Sequence, residues 1–219
     1  MPLKVEKVSH ENLGDKVYRI IKDMILKREV RPGDRLNIAE LASALDVSRS
    51  LVRNALTLLA KDDLVEFFRR GIFVRQITRK EMQDLYELRG LVEVFALRKG
   101  MANLRAEIAA KLMEQLETAV EQLGRGNMQG CYELDMALHQ TLVNASRNHQ
   151  LIKMFSSCQD LMMLVILSDF DRIGNVDRSL EEHRSIIQAL ARGDAKAAAA
   201  ALKHHLTESE KRVLDIFPE

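Results

Sequence analysis

Four side chains that commonly bind metal ions fall on the apolar faces of three predicted helices. Asp135 occupies an apolar stripe with 4-3-4-3 spacing, and His139 follows one turn later on the same edge. His183 shares the inner face of a later helix with leucine and isoleucine side chains, and His205 does the same in the last helix. The neighbouring His204 falls on a charged face and should be exposed. One carboxylate and three imidazoles are therefore expected to point into one helical bundle.

These groups need partners, because a buried carboxylate or imidazole without a hydrogen bond or a ligand is costly. A divalent metal ion would use every lone pair. Three histidines and one carboxylate suit zinc as the first choice, with nickel, manganese or iron as alternatives. A metal-free network of Asp–His hydrogen bonds would satisfy the same groups, and the spacing does not choose between these two interpretations.

A metalloenzyme is a third interpretation, because such a centre could hold an activated water in an open position. No inward Glu or second acid can be identified in the sequence as a partner for proton transfer, and this counts against catalysis. An interaction module without any ligand is a further alternative. Metal analysis of the purified protein would separate that alternative from the interpretations that include a metal ion.

A two-faced helix within Asp46–Val65 carries a different chemistry. Its apolar residues recur at i, i+3, i+4 and i+7, and Ser48 is a suitable N-cap. The opposite face carries Arg49, Ser50 and Arg53 near the N-terminal end. A shorter amphipathic helix precedes it across a tight turn, so the pair is predicted to be a helix-turn-helix that reads DNA. The alternative is a packed helical pair with a solvated basic face.

Two apolar, β-prone runs follow this pair, Leu64–Phe68 and Ile72–Ile77. The basic tripeptide RRG between them predicts a β-hairpin with a basic tip. Upstream, Asp15–Lys27 predicts a first helix, and a Pro-Gly turn precedes Arg35, which is placed to approach phosphate. Three helices and a basic-tipped hairpin indicate a winged helix-turn-helix domain.

The composition is typical of a soluble globular protein, with 219 residues, 47% hydrophobic and 30% charged. This length is enough for two modest domains. No apolar run approaches the ~20 residues needed to span a bilayer, and no signal region begins the chain. Two cysteines are too few for a disulfide framework or a zinc knuckle. These features predict a cytoplasmic protein that does not contact a membrane.

The net charge of +1 hides an asymmetry between the two parts of the chain. Residues 1–77 carry 15 Lys and Arg against 11 Asp and Glu, which suits a nucleic-acid partner. We place a DNA-binding domain at residues 1–77, beginning with a polar arm over Met1–Leu13, and an all-α domain at residues 78–219. The six helices predicted for the second domain are Lys80–Lys99, Arg105–Leu123, Asn127–Ala145, His149–Phe170, Val176–Arg192 and Asp194–Ile216.

The segment VRPGDRLNIAELASALDVSRSLVRNALTLLAKDDLVEFFRRGIFV resembles the DNA-binding domain of GntR-family bacterial transcriptional regulators. The similarity covers about Asp15–Ile77 without a gap. It includes the Pro-Gly turn, the pattern LA…L.VSR..VR.AL..L and a glycine-containing wing. It implies contact with double-stranded operator DNA. The residues that it implies as DNA contacts are Arg35, Arg49, Ser50, Arg53 and the wing around Gly71.

The segments DLYELRGLVEVFAL, DMALHQTLVNASRN, EEHRSIIQALARGD and ALKHHL resemble the effector (FCD) domain of the FadR-type subgroup of this family. Many members of that subgroup use an Asp-x3-His…His…His pattern as metal ligands. The matching positions are Asp135, His139, His183 and His205. Members of this type sense small organic acids beside the metal. Arg89 is then a candidate to pair with an effector carboxylate through its forked guanidinium.

Together these observations predict a mainly α regulator, with an N-terminal winged helix-turn-helix and a C-terminal antiparallel bundle of about six helices. A homodimer is expected, because helix-turn-helix dimers read paired half-sites. The regulator is expected to repress transcription and to respond to a small carboxylate bound at the metal site. The alternatives are a regulator that senses a fatty acyl-CoA and one whose metal is purely structural. A metalloenzyme is less favoured.

Overall fold

The computed structural model describes residues 13–166, 173–215 and 217. Contacts between Cα atoms divide the chain into two compact units that meet between Gln76 and Ile77. The predicted polar arm lies outside the described residues, except for Leu13. Residues 167–170, at the end of one predicted bundle helix, and Ile216, at the end of another, also lie outside them. No helix of the described chain is long and apolar enough to cross a membrane.

Three helices form most of the first unit: α1 over Leu13–Leu26, α2 over Ile38–Ala44 and α3 over Arg49–Lys61. Helix α3 buries its apolar stripe and packs on both α1 and α2. The Ser48 hydroxyl accepts a hydrogen bond from the Leu51 backbone, and Asn37 caps α2 in a similar way. Such caps satisfy free N–H groups of a first turn, so they define where each helix begins.

A three-stranded antiparallel sheet completes this unit, with the strand order β1-β3-β2. Its strands are β1 over Arg35–Leu36, β2 over Val65–Phe68 and β3 over Gly71–Val74. The hairpin is shorter than predicted, because pairing ends at Val74 and Gly71 belongs to β3 rather than to the turn. Arg35, expected in a connection, instead pairs with Phe73 across the sheet. A strand of two residues is too short for periodicity to reveal.

The second unit contains six long helices among the described residues. They are α4 over Arg79–Gly100, α5 over Ala106–Gly124, α6 over Gln129–Ala145, α7 over His149–Ile166, α8 over Ile173–Ala191 and α9 over Ala195–Leu214. A short 3-10 helix, Met101–Asn103, follows α4. The described part of this unit contains no strand, which agrees with the predicted all-α architecture.

Helix α4 is central to the packing of the bundle, because it contacts α6, α7 and α9. A capping box between Thr78 and Glu81 defines its start. At its end, Gly100 lies against the backbone of Ala145, where a Cβ atom would come within 2.4 Å of the carbonyl carbon. This close approach brings together the ends of α4 and α6, the two helices that carry most of the buried polar residues described below.

Candidate metal centre and nucleic-acid interface

Three helices bring the four predicted metal ligands together in the second unit. Asp135 and His139 lie one turn apart on α6. His183 lies on α8, and His205 lies on α9. All four ligand atoms are within 4.8 Å of one another. The neighbouring His204 is exposed, as its position on the charged face predicts.

The separations between these atoms match a small coordination shell. The Nε2 atom of His205 is 3.2 Å from that of His139 and 3.3 Å from that of His183. Asp135 Oδ1 lies 3.3 Å from His183 Nε2 and 3.6 Å from His139 Nε2. Ligand atoms at ~2.0–2.2 Å from a tetrahedral zinc ion lie about 3.3–3.6 Å from one another. The donor set and its spacing therefore fit a divalent metal ion.

Two glutamates hold the outer nitrogens of two of these histidines. Glu93 Oε2 lies 2.5 Å from His139 Nδ1. Glu182 Oε2 lies 2.8 Å from His205 Nδ1, and Arg212 donates to both oxygens of Glu182 at 2.7 Å. A carboxylate that accepts from Nδ1–H favours the tautomer in which Nε2 carries the lone pair. Both Nε2 atoms are therefore oriented as metal ligands.

Neither glutamate was predicted from the sequence, and the expectation of a bundle without an identifiable inward acid is wrong. Glu93 is fully buried on α4. Its spacing could have revealed it, because Tyr86, Arg89 and Glu93 follow one another at the 3-4 intervals of a buried stripe. Glu182 is only partly buried beside His183, and no periodic signal marks it.

The lone pairs of the cluster face one another, which is unfavourable unless a cation separates them. His139 Nε2 and His205 Nε2 are 3.2 Å apart, and each ring directs its Nδ1 at a carboxylate. Two neutral rings in this arrangement would bring two lone pairs into contact. A metal ion, or a proton on one ring, removes that repulsion. The geometry thus favours a metal site over a hydrogen-bond network of neutral groups.

Burial and neighbouring charges shift the pKa values of these four groups in different directions. Burial lowers the pKa of His205 to about 3, with a further contribution from His183, and burial also lowers the pKa of His183. Burial opposes ionisation of His139 as well, but Glu93 and Asp135 together outweigh it and raise the pKa of this ring. For Asp135, burial is outweighed by the adjacent histidines, which hold its pKa well below the usual range. Without metal, His139 is therefore the ring that gains a proton first.

We expect metal affinity to fall as the pH drops through a value above ~6.5, the ordinary histidine pKa. The metal needs neutral imidazoles, and His139 has the raised pKa, so its protonation competes first. Zinc titrations at a series of pH values between about 5 and 8 measure the pH at which zinc affinity has fallen by half, here called the midpoint. Glu93→Gln should move it to lower pH, because the carboxylate that favours the imidazolium is gone. A wild-type midpoint well below the ordinary histidine pKa would contradict this assignment.

Arg89 lies beside the cluster and is already engaged. It is buried, and its Nε donates to Glu93, one turn along α4. Burial would lower the pKa of Arg89, but the Glu93 carboxylate outweighs it and raises that pKa. Burial would raise the pKa of Glu93, but Arg89 and His139 outweigh it and lower that pKa to about 2. A carboxylate ligand would therefore share the guanidinium with Glu93.

A small cavity, here called the chamber, adjoins the metal cluster. Its lining includes Arg89, Asp135, His139, Met136, Met162 and Met163. It encloses about 20 Å³, which is room for one water-sized group. Two of the predicted metal ligands and the predicted effector-binding arginine therefore border one small cavity.

In the first unit, one groove brings together three of the predicted DNA contacts. Arg35, Arg53 and Gly71 line this groove. Phe67 and Arg69 of the wing line it as well. Guanidinium groups from β1, α3 and the hairpin turn concentrate positive charge between the helix and the wing, and such a surface suits a phosphate backbone.

The other two predicted contacts occupy the first turn of α3. Arg49 and Ser50 are both exposed there, and Arg53 is exposed one turn further along. Ser50 Oγ lies 3.0 Å from Ser48 Oγ. The N-terminal residues of a recognition helix are those that contact base edges in helix-turn-helix proteins.

Gly71 permits the close contact between Arg35 and the wing. Its φ of +139° lies in a region that L side chains rarely adopt. A Cβ atom at this position would come within 2.8 Å of Arg35 Nε. A larger residue would therefore displace the Arg35 guanidinium and strain the start of β3.

Comparison with known proteins finds a matching protein family for each unit. Residues 13–74 match the bacterial regulatory proteins of the gntR family, and residues 84–208 match the FCD domain. The chain is 32% identical over 201 residues to the Nta operon transcriptional regulator of Aminobacter aminovorans, which covers 89% of this chain and 91% of that protein. It is 29% identical over 221 residues to the HTH-type transcriptional regulator LutR of Bacillus subtilis, which covers 90% of this chain and 99% of that protein.

A solved structure supports the same comparison along nearly the whole chain. It is that of a GntR transcriptional regulator from Rhodococcus sp. RHA1, with 28% identity and a TM-score of 0.82. It covers 94% of this chain and 99% of that one. The curated relatives are named as transcriptional regulators, so the chain is not an enzyme and the metalloenzyme interpretation is set aside. The chain belongs to the GntR family of bacterial regulatory proteins, as a DNA-binding transcriptional regulator with an FCD domain.

Proposed function

We propose that this protein is a transcriptional repressor that releases its operator when a small carboxylate binds beside a metal ion in the second unit. The observation that carries the proposal is the convergence of Asp135, His139, His183 and His205 next to the chamber, in a DNA-binding regulator. A purely structural metal would not require a chamber bordered by two of its ligands and by Arg89.

Zinc is the proposed occupant of the metal site, because three imidazoles and one carboxylate form a donor set that it favours. Nickel, manganese and iron also accept imidazole ligands and are the alternatives. When bound, the metal would supply a Lewis-acidic positive charge at the edge of the chamber. Glu93 and Glu182 would hold two of the imidazoles in the ligating orientation.

The proposed effector is a small organic acid. Its carboxylate would meet the Arg89 guanidinium, which offers parallel N–H donors, and the positive charge at the metal site. The chamber, at about 20 Å³, has room for one water-sized group, so a short acid would have to displace far fewer side chains than the long chain of a fatty acyl-CoA. Sharing of Arg89 between the acid and Glu93 would link the effector to His139 through a chain of direct contacts.

Operator DNA is proposed to contact the predicted DNA-binding domain, residues 1–77. The proposed contacts are Arg35, Arg49, Ser50, Arg53 and the wing around Gly71. Arg49 and Arg53 would reach base edges, whereas Arg35 and the wing would contact phosphates and hold the register on the duplex. Access to bacterial operator DNA implies a cytoplasmic location.

A homodimer is proposed, because helix-turn-helix proteins read two half-sites with two copies. Leu91 and Phe95, one turn apart on α4, are 73% and 57% exposed. Neighbouring large apolar side chains on a surface mark an interaction site, and we assign this one to the second copy. Sedimentation as a monomer at micromolar concentration would contradict the pairing.

Effector and operator are expected to weaken each other's binding by about 5- to 150-fold, which corresponds to ~1–3 kcal/mol of coupling. The metal cluster and Arg53 belong to different units, so the signal has to involve the connection around Gln76–Lys80. Two titrations of zinc-loaded protein with short carboxylic acids measure the coupling. One compares acid affinity with and without operator, and the other compares operator affinity with and without acid. Linkage requires the two factors to be equal.

The matched control for this coupling is Asp135→Ala. This variant should bind operator as the wild type does, because Asp135 lies in the second unit, yet it should lose the response to the acid. An acid that binds the wild-type protein tightly without changing operator affinity would show that the metal site does not act as a sensor.

A further inference from the structure

Side-chain donors in the chamber face methionine sulfurs. Arg89 Nη1 lies 3.5 Å from Met162 Sδ. Gln159 Nε2 lies 3.1 Å from Met136 Sδ. A thioether sulfur is a weak acceptor, so these contacts satisfy a guanidinium and an amide poorly. An oxygen atom at either position would be a stronger hydrogen-bond partner.

The same methionines account for the small volume of the chamber. Met162 is buried and Met136 is partly buried, and both border the enclosed space of about 20 Å³. Methionine is unbranched and has three rotatable bonds, so its sulfur and methyl group can be moved at little cost. Rotation of either side chain would open space directly in front of the donor that its sulfur leaves.

We propose that Met136 and Met162 plug the chamber in the ligand-free protein, and that the effector is a short acid with a second oxygen close to its carboxylate. The carboxylate replaces Met162 Sδ at Arg89. The second oxygen replaces Met136 Sδ at Gln159. The carbon atoms of the acid pack against the displaced methionines and Phe155, which also lines the chamber. This inference rests on the proposed function, because it names the class of acid for that site.

Glycolate and propionate are a matched pair of probes, because they differ only in a hydroxyl group replaced by a methyl group. We expect zinc-loaded full-length protein to bind glycolate about 3- to 10-fold more tightly in calorimetric titrations, the range of one net hydrogen bond. Gln159→Leu should abolish this difference, because it removes the amide that donates to the second oxygen. A preference that persists in Gln159→Leu would overturn the assignment of that oxygen.

Removal of the plug should strengthen binding of both acids. Met162→Ala and Met136→Ala are each expected to raise glycolate affinity several-fold, because no side chain then has to be displaced. Met154→Ala is the matched control, since Met154 lies on α7 like Met162 but is 44% exposed. Unchanged glycolate affinity in both Met162→Ala and Met136→Ala would overturn the proposal that these methionines plug the chamber.

Spectra of wild-type protein with carbon-13 in the methionine methyl groups give a readout that does not depend on the folding of a variant. Glycolate should shift the Met136 and Met162 resonances and leave Met154 unchanged. Glycolate binding without these shifts would overturn the plug and leave carboxylate sensing intact. If neither acid binds the wild-type protein or the variants, carboxylate sensing itself fails and this inference fails with it.

Discussion

Replacement of Arg53 with alanine is expected to abolish the preference of the protein for its operator over other duplex DNA. Arg53 is exposed on α3, one turn after Arg49, and it lines the groove beside the wing. An arginine that contacts guanine N7 and O6 contributes ~1–3 kcal/mol of discrimination, which is about 5- to 150-fold. A dimer loses this contact in both half-sites, so the combined loss is larger than for one.

Gel-shift titrations measure the ratio of the affinity for the operator to the affinity for a scrambled duplex of the same length. The operator is selected from random duplexes. The fold should persist in Arg53→Ala, because alanine favours helix and the buried stripe of α3 is untouched. Lys61→Ala is the matched control, since Lys61 is exposed at the opposite end of α3. It should leave the ratio unchanged. Sequence preference retained by Arg53→Ala would exclude Arg53 from base recognition.

Loss of stoichiometric metal is the expected result of replacing any one of the four ligands with alanine. Each of Asp135, His139, His183 and His205 supplies one atom to a cluster whose separations fit a single ion. Replacement of a residue that only hydrogen-bonds a metal ligand typically lowers metal affinity about 10- to 100-fold. Replacement of the ligand itself should lower the affinity further. Elemental analysis and competition with a zinc chelator measure the change.

The control for this set is His204→Ala, because His204 is exposed one residue away from His205 and should leave metal binding unchanged. Glu93→Gln should weaken zinc by about 10- to 100-fold, since it releases the carboxylate that orients His139. Circular dichroism checks that each variant stays helical. Absence of stoichiometric metal from carefully prepared wild-type protein would contradict the metal assignment and favour the hydrogen-bond network.

The elements of the fold were predictable because their signals are local. The buried stripe of α3 and its Ser48 cap depend on residues within one or two turns, and the predicted start of that helix is observed. The six bundle helices were predicted to within a few residues of their described ends for the same reason. The winged helix-turn-helix followed from this local order, whereas the family was predicted from a sequence resemblance, and both are confirmed.

The candidate site was predictable only where polar residues interrupt an apolar period. Asp135, His183 and His205 were found because each interrupts an apolar stripe, and His139 was found because it follows Asp135 by one turn on the same edge. Periodicity shows that such residues face inward. It does not show that their ligand atoms lie 3.2 to 3.6 Å apart, because that depends on how α6, α8 and α9 pack.

The tertiary structure alone decided which groups support and compete with these ligands. Glu93 lies 46 residues from His139 along the chain yet 2.5 Å away in space, and Glu182 reaches His205 across the α8–α9 contact. Arg89 was predicted as a candidate to pair with an effector carboxylate, and the packing of α4 buries it against Glu93. Local sequence carries the hydrogen-bonding preferences of one helix at a time. Contacts between helices that are distant in sequence depend on how all the helices of the bundle pack, so only the tertiary structure shows them.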